Sequence, residues 1–373
     1  MVNRISVANL NDLLITQYNQ DFSEKYYEEK KEMSGEGKRF MEIASSSVEL
    51  KDGHYHLPLP FRKKDIVMPD NYEMVKQRTL NLLKRFKRDA EYAMEYKTFM
   101  EDVLKKGYAE RVPPEQLNRN DGQIWYIPHH GVYHHQKRKL RVVFDGTASC
   151  KGTSLNKELL QGPDLANTLI GVLLGFRQEQ IAFMGDIEAM FYQVQVQREH
   201  KDFLRFLWWP DGDTENSLEA YRMKVHLFGA VSSPSIANYA LRQVAEDNSF
   251  KYDEEVTETI NSNFYVDDCL KSVATVEQAI KLIRDLRDAC AKGLFKDLDF
   301  DRENLPIERA LGIKWDTEKD SFIFKVNIKN RALTRRGILS TISSIYDPLG
   351  FLSPFILKAR QILQELCRIK WMG

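Results

Sequence analysis

Cysteine is scarce and scattered. Cys150, Cys269, Cys290 and Cys367 form no Cys-x-x-Cys pair, which argues against a disulfide framework and against a cysteine-based zinc site. Reduced thiols are the expectation. Long apolar runs are missing too. The longest, LIGVLLGF at 169–176, is far too short to span a bilayer, and the opening MVNRISVANLNDLL lacks a signal-peptide apolar core. The expected setting is soluble and intracellular (cytoplasmic, particle-associated or nuclear), with no membrane partner. Net charge is absent as well, because Lys+Arg 54 balance Asp+Glu 54; total charge therefore points to no partner. No internal repeat and no compositionally biased segment is visible.

What is present suffices for a folded chain. Of 373 residues, 43% are hydrophobic and 11% aromatic, ample for two or three subdomains. The balanced charges are segregated. Lys137, Arg138, Lys139, Arg141 and Lys151 crowd one stretch against Asp145 alone, residues 325–373 are basic, and residues 246–268 are strongly acidic. Such segregation allows a basic track for a polyanion beside an acidic centre for cations, and equally allows solvated faces of mixed sign.

Periodicity sets the expected elements. Residues 1–50 read as a polar lead-in. Residues 72–106 carry two basic helices broken near Asp89 and stopped at Gly107. Strands are expected at 123–130, 139–146, 181–186, 192–197, 203–209 and 220–225, and a helix at 234–247. Thr275 and Gln278 form a capping box. It opens a helix whose inner face should hold Val276, Ala279, Ile280, Ile283 and Leu286. A strand pair after residue 311 and an amphipathic helix from about 353 complete an α+β layered fold.

The chemistry concentrates in NFYVDDCLKSV at 263–273. It reads as a hairpin whose strands, FYV and CLKSV, flank Asp267-Asp268. Two-residue hairpins favour Asn-Gly or Asp-Gly, and adjacent carboxylates repel. A divalent cation would remove the repulsion, and Mg²⁺ prefers carboxylate and phosphate oxygens. A plain surface turn is the rival reading. Asp186 also ends an apolar strand, IAFMGD. If the two strands are neighbours, Asp186 and Asp267 can hold two ions about 3.5–4 Å apart, the geometry of in-line phosphoryl displacement. His129-His130 and His134-His135 cluster but lack zinc-site spacing, so a structural role is expected.

Several motifs together resemble one family. YIPHHGVY, LRVVFDGTA, SLNKELLQGPDL, GDIEAMFYQVQV, FYVDDCLKSV, LGIKW and ISSIYDPLGFLSPF follow one another in the order found in the reverse transcriptase of BEL/Pao-type LTR retrotransposons, over about residues 50–373. The resemblance implies a right-hand polymerase fold: a lead-in at 1–50, fingers and N-terminal helices at 51–180, a palm at 181–320, and the start of a thumb or connection at 321–373. It implies an RNA-directed DNA polymerase using dNTPs, an RNA template, a DNA primer and two Mg²⁺, or Mn²⁺ in their place. Asp186 and Asp267 would hold the metals, with Asp268 as third carboxylate. Arg141 would grip the triphosphate, with Asp145 as companion and Lys137, Arg138 or Lys139 either adding charge or lying in a solvated loop.

Phe191 falls where such enzymes place a ring that excludes a ribose 2′-OH, or it is ordinary core. Phe228 and Gly229 would face the nascent base pair, the glycine allowing close approach to nucleotide. Trp315 falls in a primer-grip hairpin or in core. The loop GLFKDLDFDREN at 293–304 is more acidic than the pattern, and neither Lys292 nor Lys296 fits its general-acid lysine well. No RNase H, integrase or protease motif is expected, so a bare polymerase segment or truncated product is implied. The alternative is a non-catalytic remnant that binds nucleic acid.

Overall fold

A computed structural model describes residues 33–119, 121–133, 140–293, 298–299, 314–316, 321–323, 334–345 and 352–368. Along the chain, helix α1 (Gly35–Ser47) precedes a hairpin of β1 (Glu49–Lys51) and β2 (His54–Leu57). Helices α2 (Tyr72–Phe86) and α3 (Ala90–Lys105) follow, then β3 (Ala109–Arg111), one-turn helix α4 (Pro114–Leu117), and the hairpin of β4 (His129–Tyr133) and β5 (Leu140–Phe144). Short helices α5 (Leu155–Glu158) and α6 (Leu169–Gly175) lead into β6 (Ile181–Ile187). A 3₁₀ turn at Met190–Gln193 comes next, then β7 (Gln195–Val196), β8 (Arg205–Trp208) and β9 (Glu219–Met223). Helices α7 (Ser233–Asn248) and α8 (Glu254–Ser262) precede the hairpin of β10 (Phe264–Tyr265) and β11 (Asp268–Val273). Helix α9 (Val276–Gly293), β12 (Leu298–Asp299), the pair β13 (Lys314–Asp316) and β14 (Ser321–Ile323), and helices α10 (Arg335–Ile342) and α11 (Ser353–Arg368) complete the described residues. None of the described helices is long and apolar enough to cross a membrane.

The central sheet has the order β10-β11-β6-β12, antiparallel throughout. Its faces are set by alternation along β6. Phe183 and Ile187 join a large core with residues of α1, α7, α8 and α9. Met184 points the other way, into a small cluster with Leu270 of β11 and Val172, Leu173 and Phe176 of the α6 region. This explains the apolar run at 169–176: it caps half of a sheet face. Asp186 continues the Met184 side past the end of that cap. A second sheet, β3-β9-β8, and the β4-β5 hairpin share another large core, rich in Tyr92, Tyr96, Trp125, Trp208 and Trp209.

Several expectations change. Residues 35–47 are helical rather than loose lead-in. The Ser34 hydroxyl accepts the Gly37 N–H at 3.1 Å, and Phe40 and Ala44, one turn apart, enter the core that holds Phe183 and Ile187. Alternation at 192–197 begins only after the 3₁₀ turn, which buries Tyr192 and Gln193 together. Helix α8 has no counterpart in the sequence reading. The capping box of α9 forms as expected, with Gln278 accepting the Thr275 N–H and Thr275 accepting the Gln278 N–H. Its inner face is rotated, however: Ala279, Leu282, Leu286, Ala289 and Cys290 are buried while Val276 and Ile280 are exposed. The two alanines and the cysteine leave less side chain between α9 and the sheet than the larger isoleucines would.

Two histidines are structural. His129 Nε2 lies 3.0 Å from the Leu207 carbonyl, which makes it the donor, so Nδ1 accepts the Tyr96 hydroxyl at 2.5 Å. His226 Nε2 likewise meets the Leu57 carbonyl at 3.2 Å. Burial holds both imidazoles neutral, with pKa lowered to about 4. In the unfolded chain each takes a proton near 6.5. Their contribution is thus fully present above about pH 6.5 and is lost as pH falls towards 4, at about 3 kcal/mol each. Urea midpoints measured from pH 7.5 to 4.5 should fall steeply, and less steeply in His129→Gln/His226→Gln. An unchanged slope in that variant would contradict the assignment.

Candidate active site

The carboxylates converge at one end of the central sheet. Asp268, first residue of β11, is the register partner of Asp186 near the end of β6. Directly opposite residues in an antiparallel pair stand about 5 Å apart at Cβ and share a face. Asp267 is tied to the same place, since its carbonyl accepts the Ile187 N–H at 3.0 Å. On the other side of β6, β12 puts Asp299 in register with Asp186. Three aspartates distant from Asp186 in sequence are thereby gathered around it by backbone pairing alone.

The hairpin differs from expectation in one respect. Tyr265 pairs with Asp268, so the two turn residues are Val266 and Asp267, and Asp268 is already in the strand. Val266 has φ of 59°, a left-handed conformation that β-branched residues avoid. First turn positions with positive φ are the place for glycine in two-residue hairpins. Strain of this kind costs about 1–3 kcal/mol and persists where the surroundings impose it. Here the Asp267–Ile187 hydrogen bond and the β6–β11 ladder do so.

Burial raises the Asp267 carboxyl above the ordinary carboxylate range. A cation beside it would favour the ionised form and reverse that shift. Asp186, Asp267 and Asp268 are hard oxygen donors of the kind Mg²⁺ takes, and that ion commonly uses one or two protein carboxylates with phosphate oxygens and water completing the shell. Among the described residues no three His, Cys, Asp or Glu side chains already converge on one point. The donor set therefore fits an ion shared with substrate phosphates rather than an all-protein cage.

Arg141 lies on β5, exposed, with the buried Leu140, Val142 and Phe144 facing inward. Asp145 is not its partner. Arg78 of α2 lies 3.3 Å from the Asp145 carboxylate, which also accepts the Thr147 N–H and hydroxyl. Sequence reasoning missed Arg78, although it lies on the expected basic helix. Lys137, Arg138, Lys139 and Lys296 lie outside the described residues, as do the side chains of Lys292 and Trp315.

Phe191 is buried in the 3₁₀ turn after β6, with Ala189 before it at φ of 51°. Its ring packs on Phe228, centroids 4.3 Å apart and planes at 38°. Phe228 is 52% exposed, so the pair forms a floor with one ring open. Gly229 has φ of 109°, and a Cβ there would lie 1.9 Å from the Phe144 carbonyl oxygen. The close approach that demands glycine is thus to protein backbone, where the sequence reading expected nucleotide.

Comparison with known proteins adds two findings. Residues 334–372 match the Pao retrotransposon-like RNaseH-like domain family. This segment holds ISSIYDPLGFLSPF, the last of the motifs read along the sequence. Among solved structures, the chain is similar to the foamy viral protease-reverse transcriptase dRH in complex with double-stranded DNA, at 14% identity and a TM-score of 0.50, with 87% of this chain and 47% of that one covered. The chain thus spans about half the length of that protein and shares its fold over the covered part. No curated protein matches.

Proposed function

We propose that the chain is an RNA-directed DNA polymerase of retroelement type, with a right-hand architecture whose palm is the β10-β11-β6-β12 sheet. The observation that carries this reading is the register of Asp268 with Asp186, with Asp267 fastened beside them by the Ile187 N–H. The fold shared with a foamy viral protease-reverse transcriptase and the order of the sequence motifs support it.

In the proposed reaction a primer 3′-hydroxyl attacks the α-phosphorus of a dNTP. A P–O bond forms to the primer, the bond to the β-phosphate breaks, pyrophosphate leaves, and the hydroxyl proton passes to solvent. Bound Mg²⁺ would supply charge neutralisation and a more acidic hydroxyl. The chain's own residues do the positioning. Asp186, Asp267 and Asp268 present negative charge at the sheet end and hold cation and phosphate together. Asp267 must lose its proton to do so, which makes the site weaker in acid. Arg141, exposed on β5, suits a phosphate contact through its planar guanidinium. The Phe191–Phe228 floor would meet the sugar and leave no room for a 2′-OH, the group that separates RNA from DNA precursors. Catalysis of this type is mainly positioning and electrostatic.

Purified protein given a DNA primer on an RNA template, dNTPs and Mg²⁺ should extend the primer, and EDTA should stop it. A second reading, a nucleic-acid-binding remnant without catalysis, is favoured by the lack of a preformed three-ligand cluster among the described residues. Tight, salt-sensitive binding of the primed template without extension would establish it in place of the first.

A further inference from the structure

Three chain segments meet beside the Phe191–Phe228 floor, and one residue joins them through its side chain and its backbone. Asn156 of α5 donates from Nδ2 to the Gly229 carbonyl at 2.8 Å, and its Oδ1 accepts the Val231 N–H at 2.9 Å. Its own backbone N–H donates to the Gly146 carbonyl at 3.0 Å. Gly146 and Gly229 are pressed against each other and against β5. A Cβ on Gly146 would lie 2.5 Å from the Gly229 oxygen and 2.8 Å from Asn156 Oδ1, and one on Gly229 would strike the Phe144 carbonyl. The end of the strand bearing Arg141, with Asp145 just past it, is therefore locked to the loop bearing Phe228, and Phe228 rests on Phe191.

We propose that Asn156 is a positioning residue for nucleotide selection: its amide sets the height of the Phe228–Gly229 loop, and through the ring contact it sets how tightly the floor fits the sugar. This rests on the polymerase reading above. The bonding supports it. Both polar ends of the amide are used, one per residue on either side of Ala230, so the loop is held against sliding as well as lifting. Neither backbone can come closer, because two glycines already stand at contact. Loosening can only open the floor, and an opened floor admits the bulkier ribonucleotide.

The test is single-nucleotide incorporation on a primed RNA template, comparing kcat/KM for a deoxynucleotide with that for the matching ribonucleotide. Asn156→Ala should cut the preference for the deoxynucleotide at least tenfold, chiefly by lowering KM for the ribonucleotide. Asn156→Asp keeps the acceptor for the Val231 N–H and should fall between. Phe228→Ala removes the ring link, so combining it with Asn156→Ala should add little, the mark of residues acting through one path. Phe191→Val opens the floor directly and calibrates the largest loss of discrimination available. If wild type extends but Asn156→Ala lowers kcat/KM for both nucleotides equally, Asn156 is merely structural and the inference is overturned. If Asn156→Ala does not fold, the same comparison on Asn156→Asp decides. If wild type incorporates neither nucleotide, the polymerase reading itself fails.

Discussion

Asp186→Asn should extinguish templated primer extension, by about 10³-fold or more, while leaving the fold and template binding in place. A factor of 10³ is about 4 kcal/mol of barrier. The amide keeps the shape and the β6 ladder, so Asp268 still stands opposite it. It removes one negative charge from the place where, on the proposed reading, cation and substrate phosphates would be held, and at such sites electrostatic preorganisation is the largest single contribution. Asp267→Asn should lose extension to a similar degree, and it should also abolish the rise in activity as pH climbs through the raised Asp267 pKa. Primer extension scored beside filter binding separates the two effects. An Asp186→Asn protein that extends primers at the wild-type rate would rule out this site.

Asp202→Ala should be the most damaging change to the fold, at about 3–5 kcal/mol. Asp202 is buried between three guanidinium groups: Arg119 at 2.5 Å, Arg205 at 2.9 Å and Arg222 at 3.1 Å. Arg205 is fully buried and spends its remaining donors on the Gln116 and Leu117 carbonyls. Deleting the carboxylate leaves two buried cations without their shared counter-charge. Because Arg222 also meets Glu110, the network ties β3, β8 and β9 together, and the damage should spread through that sheet. By contrast Asp253→Ala, which breaks an exposed pair with Lys281, should leave the urea midpoint nearly unchanged. Urea denaturation of both variants checks this; equal midpoints would contradict it.

The residues that were legible in sequence were those whose chemistry is local. The helix break at Asp89 was readable because its side chain caps the Tyr92 N–H, three residues on. The carboxylates were readable because adjacent acids in an apolar hairpin need a reason. Their meeting with Asp186 was expected only on condition that two strands were neighbours, a fact of long-range pairing. Asp299 was quoted as part of an acidic loop, and nothing short of the β6–β12 register reveals that it flanks Asp186. The Asp202 network left a fainter trace: Arg205 lies inside DFLRFLWW, where a charge among large apolar residues signals a buried partner. Asn156 left none, because a polar residue in the first turn of a short helix gives no sign in sequence of a distant partner, whereas this one bonds a loop far along the chain. The α9 face was legible only in part: Ala279 and Leu286 are buried as expected, but the contact also takes in Leu282, Ala289 and Cys290 while Val276 and Ile280 face out, because periodicity marks large side chains and small ones are overlooked.

The central claim is that aspartates from β6 and the 265–268 hairpin jointly hold a divalent cation against nucleic-acid phosphates. Electron paramagnetic resonance of Mn²⁺, titrated into wild-type protein with primed RNA template and a non-hydrolysable dNTP analogue, reads that directly. The free-ion signal should be depleted by wild type and recover in both Asp186→Asn and Asp267→Asn, each still bound to template. Equal depletion by wild type and the two variants would place the cation elsewhere and remove the foundation of the polymerase assignment.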